Sequence, residues 1–473
     1  METTVGNTRL PQVRLAGGAQ RAQITASHVY GFLNCEHKVW LDFFGPRTEK
    51  LSPSPALEQL LRRGRDLEER LVAPLGWDEP RYERGRFDIG AAETRSLLAT
   101  GVDGLRQGVL LEGPWLGIPD LLRRHDGESA LGPFHYVVGD VKSSRKPRAD
   151  QALQVAFYSL LLEGVQGRRP DHGFLVLQDG REERIDLEAI DVVLREVLDE
   201  MVDVLARGPD DPDNSRPHHS ESCRDCAWRA VCSQPRDVYW VPGLTRSVRQ
   251  VLAGRGFTSL DALSLIEPRQ QGRAGVLPEA TWQRAQLGAQ AVATGRPVFV
   301  RKPRLQDVRE AATVVVALYD AFDARVPLVA WQSDGRVRVA TAASRADEPV
   351  MWKDLLLALR STRGAIVHGG GFPARVYEQR LRSALDPGLA ATLDALEDRY
   401  VDLMSTVRGT WIFPEPVQHA SEALAYLEGA LPDEAPAAVP LLLEVGDFDA
   451  LEQVARRELA ALAALAKRLW SGA

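Results

Sequence analysis

The run Tyr136-Val137-Val138-Gly139-Asp140-Val141-Lys142 is the stretch from which the rest of the chain is most easily read. Apolar and β-branched as far as Val141, it predicts a buried strand. Side chains two apart on a strand leave the same face, so Asp140 and Lys142 share one side while Val141 points into the core. By themselves the two charges read equally well as a surface ion pair. Their neighbours decide between the readings.

Upstream, Gly117-Ile118-Pro119-Asp120 brings a second carboxylate. A hard divalent cation such as Mg2+ or Mn2+ takes oxygen ligands, which Asp120, Asp140 and the Val141 carbonyl can supply. Lys142 can then position or activate a water and offset developing charge, the combination that phosphodiester hydrolysis requires. Glu68 lies on a helix predicted over 55–72 and can complete the metal shell, although an exposed i,i+4 partner on a charged helix face accounts for it too. Gln154 and Tyr158 are four apart on a helix predicted over 148–163, so both can lean toward one site or form the polar edge of an amphipathic helix.

The chain holds four cysteines: Cys35, and Cys223, Cys226 and Cys232 in Ser222-Cys-Arg-Asp-Cys-Ala-Trp-Arg-Ala-Val-Cys232. A tight hook of three thiols plus one distant thiolate can enclose a metal centre and tie two remote segments together. Four thiolates suit tetrahedral zinc as well as an iron-sulphur cluster. His218 and His219 beside the hook read as loop residues, because four thiols already fill a shell. In a reducing compartment this spacing favours a metal over disulfides.

With 473 residues the chain exceeds one hydrophobic core, and two or three domains are expected. A net charge of -7 argues against coating nucleic acid by bulk electrostatics, yet allows a local basic groove. Arg145, Lys146 and Arg148, just past Lys142, are candidates for such a groove. No apolar stretch approaches the roughly 20 residues of a membrane helix, and the polar start lacks the apolar core of a secretory signal. A cytoplasmic protein with no membrane contact is expected.

The predicted organisation is a flexible N-terminal tail over 1–23, then an α/β domain over 24–236 with a mixed sheet flanked by helices. A small helical domain over 237–304 and a second α/β domain over 305–473 follow. Within the first domain, 82–123 reads as short strands and turns. Within the helical domain, 241–266 reads as two short helices around a glycine turn at Pro242-Gly243-Leu244, whose N–H groups can hold a phosphate without reading bases.

The ordered set Gly-Arg-Asp-Leu-Glu68, Gly-Ile-Pro-Asp120, Gly-Asp140-Val-Lys142 and Gln154-Val-Ala-Phe-Tyr158, bracketed by Cys35 and the cysteine hook, resembles the RecB-type nucleases of the PD-(D/E)xK superfamily. Among these it is most similar to the iron-sulphur branch containing the CRISPR-associated exonucleases and the AddB nuclease domain. The likeness covers about the first half of the chain and implies a restriction-endonuclease-like fold. It further implies that Glu68, Asp120 and Asp140 hold Mg2+ or Mn2+, that Lys142 is catalytic, and that Gln154 and Tyr158 lie near the substrate. Cys35, Cys223, Cys226 and Cys232 would hold a structural 4Fe-4S cluster, and the substrate would be single-stranded or unwound DNA ends in repair or defence.

The chain contains no nucleotide-binding loop of the form G-x-x-x-x-G-K-S/T, so unwinding falls to a separate helicase. A nucleic-acid-binding scaffold or helicase accessory subunit with a weak site is the alternative reading. The 241–266 segment resembles a helix-hairpin-helix in which Thr245-Arg246 replaces the usual second glycine. The last domain resembles the RNase H-like fold of the YprB type, but Ala317 and Tyr319 stand where active relatives carry an acidic pair. Asp402 and Glu458 fit later acidic positions, and a degenerate domain that binds substrate or a partner is expected.

Overall fold

A computed structural model describes residues 10–13, 23–210, 215, 217, 221–232, 238–273, 276–303, 313–320, 325–369, 387–432 and 439–471. The chain divides into two compact units, one of residues 1–53, 60–218 and 224–232, the other of 54–59, 219–223 and 233–473. His218 and His219 lie outside the described residues.

The first unit opens with the short strand β1 (Ile24–Thr25), α1 (Ala26–Asn34) and α2 (Glu36–Phe44), with Cys35 in extended backbone at the break between the two helices. Then come α3 (Pro55–Val72), α4 (Phe87–Ala99), β2 (Gly104–Arg106), β3 (Leu110–Glu112) and β4 (Trp115–Gly117). The main sheet is completed by β5 (Leu121–Ser129), β6 (Gly132–Val141), β7 (His172–Val176) and β8 (Glu182–Asp186). Its order is β2-β5-β6-β7-β8, antiparallel except where β6 and β7 run parallel, joined through α5 (Ala149–Gln166). Helices α6 (Glu188–Arg207) and α7 (Arg229–Cys232) follow.

Strand β6 is apolar at consecutive positions because both of its faces are covered. Tyr136 and Val138 join the large core with Leu153, Phe157 and Leu161 of α5, while Val137 meets Val72, Leu121, Phe174 and Val176 on the opposite side. Val141 packs with that second group, so Asp140 takes the α5 side. Fully burying one such side chain contributes about 1.5–3 kcal/mol, so the strand that carries Asp140 is firmly held.

Two stretches of this unit differ from their sequence reading. Residues 82–123 are not strands and turns alone: α4 occupies 13 of them. Ala91, Thr94 and Leu98 fall on its buried stripe, a helical spacing among good helix formers that short-strand signals on either side obscured. In the stretch read as a flexible tail, Leu10 and Val13 pack against the large core, and Trp115 Nε1 donates to the Pro11 carbonyl at 3.2 Å.

The second unit opens with α8 (Arg246–Gly254), α9 (Leu260–Ser264), α10 (Pro268–Arg273) and α11 (Glu279–Thr294), whose buried Trp282 clusters with Leu252 of α8 and Leu263 of α9. The glycine turn between α8 and α9 is at Gly256, φ 84°, whereas Gly243, φ 75°, lies in the turn that precedes α8. Pro242-Gly243-Leu244 therefore does not join the two helices as the hairpin reading had it. After β9 (Val298–Phe299) the unit builds a second sheet from β10 (Thr313–Asp320), β11 (Arg325–Ser333), β12 (Arg336–Thr341), β13 (Ile366–His368) and β14 (Tyr400–Asp402).

The order of that sheet is β12-β11-β10-β13-β14; β10, β11 and β12 run antiparallel, and β13 and β14 continue parallel to β10. Helix α12 (Glu348–Arg360) covers the face of Val315, Val329 and Trp331, and the long helix Phe448–Ser471 covers the face of Val314, Val316 and Leu318. Ala317 and Tyr319 pack on the α12 side. Asp402 caps the helix Leu403–Thr410, accepting from the Ser405 N–H at 2.9 Å. Glu458 is buried and accepts from the Ala420 N–H at 2.9 Å and from the Ser421 hydroxyl. Both carboxylates are thus spent on helix ends. Among the described residues no helix is long and apolar enough to cross a membrane.

Candidate active site

Three elements of the first unit converge on Asp140. The strand β6 delivers Asp140, only 1% exposed, with Lys142 just beyond its end. The antiparallel neighbour β5 begins at Leu121 opposite Gly139, which sets Asp120 beside the Asp140 end of β6. Asp120 Oδ2 accepts from the Val141 N–H at 2.7 Å. Val141 therefore meets Asp120 through its amide N–H.

Lys142 donates from its backbone to the Val176 carbonyl at 2.8 Å, so its stem is anchored to β7. Its Nζ pairs closely with Asp140 Oδ2 and donates to Gln154 Oε1 at 2.9 Å. Gln154 Nε2 in turn donates to Tyr158 Oη at 3.0 Å. The i,i+4 spacing on α5 thus becomes a row that begins at the carboxylate and ends at a buried phenol. Gly117 makes the approach of α5 feasible: an added Cβ there would stand 2.7 Å from the Tyr158 ring and from Leu161.

Glu68 comes from α3. A residue that the sequence reading passed over connects it to the strands: Gln107 Nε2 donates to Glu68 Oε1 and, at 3.2 Å, to Asp120 Oδ1. Gln107 has φ 51°, in the left-handed region that non-glycine residues seldom adopt. The only hint in the sequence was the glycine after it, which marks a tight turn but says nothing about the side chain.

The electrostatics of the group follow from crowding. Burial raises the Asp120 carboxyl well above its ordinary value, and the charges of Asp140 and Glu68 push it further, against the opposing Val141 N–H and Lys142. Burial also raises Glu68, with the Gln107 hydrogen bond opposing and Asp140 adding. Burial pulls the Lys142 ammonium down, but the adjacent Asp140 outweighs it and the net shift is upward. Tyr158 is pushed far above the usual phenol range by burial and then by Asp140, so it remains a neutral hydroxyl. Carboxylates that repel one another inside a protein are the kind of oxygen donors that a hard divalent cation takes.

The sequence profile of the PD-(D/E)XK nuclease superfamily matches residues 32–233. Those residues are a PD-(D/E)XK nuclease superfamily domain. Every one of Glu68, Asp120, Asp140, Lys142, Gln154 and Tyr158 falls inside the PD-(D/E)XK match, and each is joined to the next through the contacts described above. Members of the superfamily are typically nucleases. A search of curated proteins gives no match to the chain.

The other candidate residues lie apart from this row. Arg145, Lys146 and Arg148 are exposed in the loop between Lys142 and α5; Arg148 pairs with Asp150 at 3.0 Å, and the Arg145 carbonyl accepts from Arg181 at 3.1 Å. Gly243 belongs to the second unit, where an added Cβ would meet the Arg284 guanidinium at 2.8 Å. Cys35, Cys223, Cys226 and Cys232 are half-buried thiols with no disulfide. The hook segment docks onto the stretch that follows Cys35 and α2. Leu51 N–H donates to the Ala227 carbonyl at 2.9 Å, Trp228 Nε1 donates to Asp42 at 2.9 Å, and Lys50 Nζ stands 5.4 Å from the Trp228 ring centre.

Among the described residues no group of three or more His, Cys, Asp or Glu side chains stands in metal-holding geometry. For the three carboxylates the reason is visible: Lys142 covers Asp140, and the Gln107 carboxamide lies between Glu68 and Asp120. The chain's own donors satisfy oxygens that would otherwise repel.

Proposed function

We propose that the protein is a metal-dependent DNA nuclease that acts on single-stranded or unwound ends. The observation that carries this reading is the unbroken set Glu68, Asp120, Asp140, Lys142, Gln154 and Tyr158 around one buried strand end within a PD-(D/E)XK domain. Glu68, Asp120 and Asp140 would hold Mg2+ or Mn2+. When bound, the cation supplies positive charge at a phosphate oxygen and a more acidic water.

The residues around it divide the remaining work. Lys142 is kept protonated by Asp140, so it acts as a donor rather than as a base and offsets charge gathering on the phosphate oxygens. Gln154 accepts from the ammonium and fixes its direction, and Tyr158 fixes Gln154. Arg145, Lys146 and Arg148, exposed next to Lys142, supply a positive edge for the strand entering the site.

The four cysteines are proposed to hold a 4Fe-4S cluster with a structural role, zinc being the other centre that four thiolates suit. Docking of Trp228 on Asp42 and Lys50 supports a clamp between the hook and the stretch after Cys35. An anaerobic preparation containing iron and sulphide is expected, and one containing stoichiometric zinc would reject the cluster. The Gly243 turn and the C-terminal domain are proposed to bind nucleic acid or a partner such as a separate helicase, in the cytoplasm. A mixed sheet whose later acidic residues cap helices supports binding without hydrolysis there.

The test is degradation of an end-labelled single strand with Mg2+ or Mn2+ and its suppression by chelator. Asp140→Ala should lower the rate by orders of magnitude and leave DNA binding largely intact. Equal cleavage by Asp140→Ala and the parent would refute the assignment.

A further inference from the structure

We infer that Gln107 is a positioning residue for the divalent cation, holding Glu68 and Asp120 at a fixed separation through its carboxamide. The inference rests on the nuclease reading above. Three observations meet at this residue. Its Nε2 group donates to one oxygen of each carboxylate, Oε1 of Glu68 and Oδ1 of Asp120. Its φ of 51° is a strained backbone value for a non-glycine residue, which a chain tolerates where the surroundings over-determine it. The surroundings do so here: the Gln107 N–H donates to the Asp120 carbonyl at 3.1 Å, and the preceding Arg106 N–H donates to the Asp78 carbonyl at 2.9 Å.

The two carboxylates reach the site from elements with no common anchor. Asp120 leads into β5 and is fixed from below by the Val141 N–H on Oδ2. Glu68 stands on α3, and Gln107 is the group that ties it to Asp120. An amide NH2 has two hydrogens and can serve both oxygens at once. It leaves Glu68 Oε2 uncommitted and leaves each engaged oxygen a further lone pair. Groups that hydrogen-bond metal-ligating carboxylates orient them, and their loss typically weakens metal affinity by about 10- to 100-fold.

Gln107→Gly separates this role from a structural one. Glycine adopts positive φ freely, so the turn is preserved and its strain is relieved. Gln107→Asn keeps an amide and a residue type that tolerates the left-handed region, but its reach is one methylene shorter. Mn2+ titration of the full chain by calorimetry, with thermal unfolding of the metal-free protein alongside, reads both properties. The expected result is that Gln107→Gly binds Mn2+ about tenfold or more weakly while the metal-free variant still unfolds in one cooperative transition, with Gln107→Asn also impaired.

Mn2+ affinity equal to the parent's in Gln107→Gly would overturn the inference and leave the nuclease reading standing. A parent that binds no Mn2+, or binds it as well after Asp140→Ala, would overturn both.

Discussion

Lys142 and Tyr158 are held at opposite ends of one carboxamide: the ammonium donates to Gln154 Oε1 at 2.9 Å, and Gln154 Nε2 donates to the phenol oxygen at 3.0 Å. Removing the middle of this row should cost more than removing its end. Gln154→Leu is expected to lower kcat by about 10- to 100-fold, because the ammonium loses the acceptor that directs it. Tyr158→Phe should cost no more than about tenfold, since Gln154 keeps its contact with Lys142. Single-turnover cleavage of the two variants at saturating Mn2+ measures the difference.

Asp120 is an acid retained at the expense of stability. Its carboxyl is held above its ordinary 3.8, first by burial and then by Asp140 and Glu68. A carboxyl raised in the folded state costs no stability below its ordinary value and costs progressively more as pH rises from there through the folded value, so Asp120 destabilises the metal-free protein above the ordinary carboxylate range. Asp120→Asn is therefore expected to raise metal-free stability by on the order of 1 kcal/mol while abolishing Mn2+ binding. The advantage should narrow as pH falls toward the ordinary carboxylate range. Urea unfolding of parent and variant between pH 8 and 5 checks both the sign and the trend.

His37 gives the first unit the opposite dependence. Its ring stacks on Trp40 with centres 5.5 Å apart, Nδ1 meets the Ser215 hydroxyl at 3.2 Å, and burial lowers its pKa to about 4. The unfolded chain takes up that proton near 6.5 and the folded chain only near 4, so stability falls as pH drops through this window. The loss amounts to about 3 kcal/mol at most. His37→Phe keeps a stacking ring and should show a flatter pH profile below 6.5. A profile as steep as the parent's would assign the loss to other groups.

Trp228 anchors the cysteine hook to the segment after α2. It is 1% exposed, donates to Asp42 at 2.9 Å and lies under Lys50. Trp228→Ala is expected to destabilise the first unit by about 3–5 kcal/mol. Proteolytic cleavage within 224–232 should accelerate with it. Asp42→Asn, which keeps an acceptor for the indole N–H, should cost much less.

The fold and the site were legible in the sequence to different depths. Strand β6 and helices α5 and α6 were readable because each buries a continuous apolar surface, and burial on both faces of β6 leaves a run with few polar interruptions. Helix α4 was not, because three buried positions on its stripe are Gly90, Ala91 and Thr94, which carry little hydrophobic signal. The acids and Lys142 were singled out because a hard cation calls for oxygen ligands and developing phosphate charge calls for a cation, and Gln154 and Tyr158 because of their i,i+4 spacing. Gln107 escaped because an amide beside a turn glycine is ordinary in a sequence and acquires meaning only where Glu68 and Asp120 meet. The roles of Asp402 and Glu458 were equally hidden, since only the fold places them at helix ends.

The most direct test of the account is the cleavage rate of Lys142→Ala on labelled single-stranded DNA at a Mn2+ concentration shown by calorimetry to load parent and variant equally. Glu68, Asp120 and Asp140 remain in the variant, so cation binding should persist while cleavage falls by about 10²- to 10³-fold or more. Cleavage by a loaded Lys142→Ala variant at the parent's rate would contradict the assignment of this strand end as the place where phosphodiester bonds are broken.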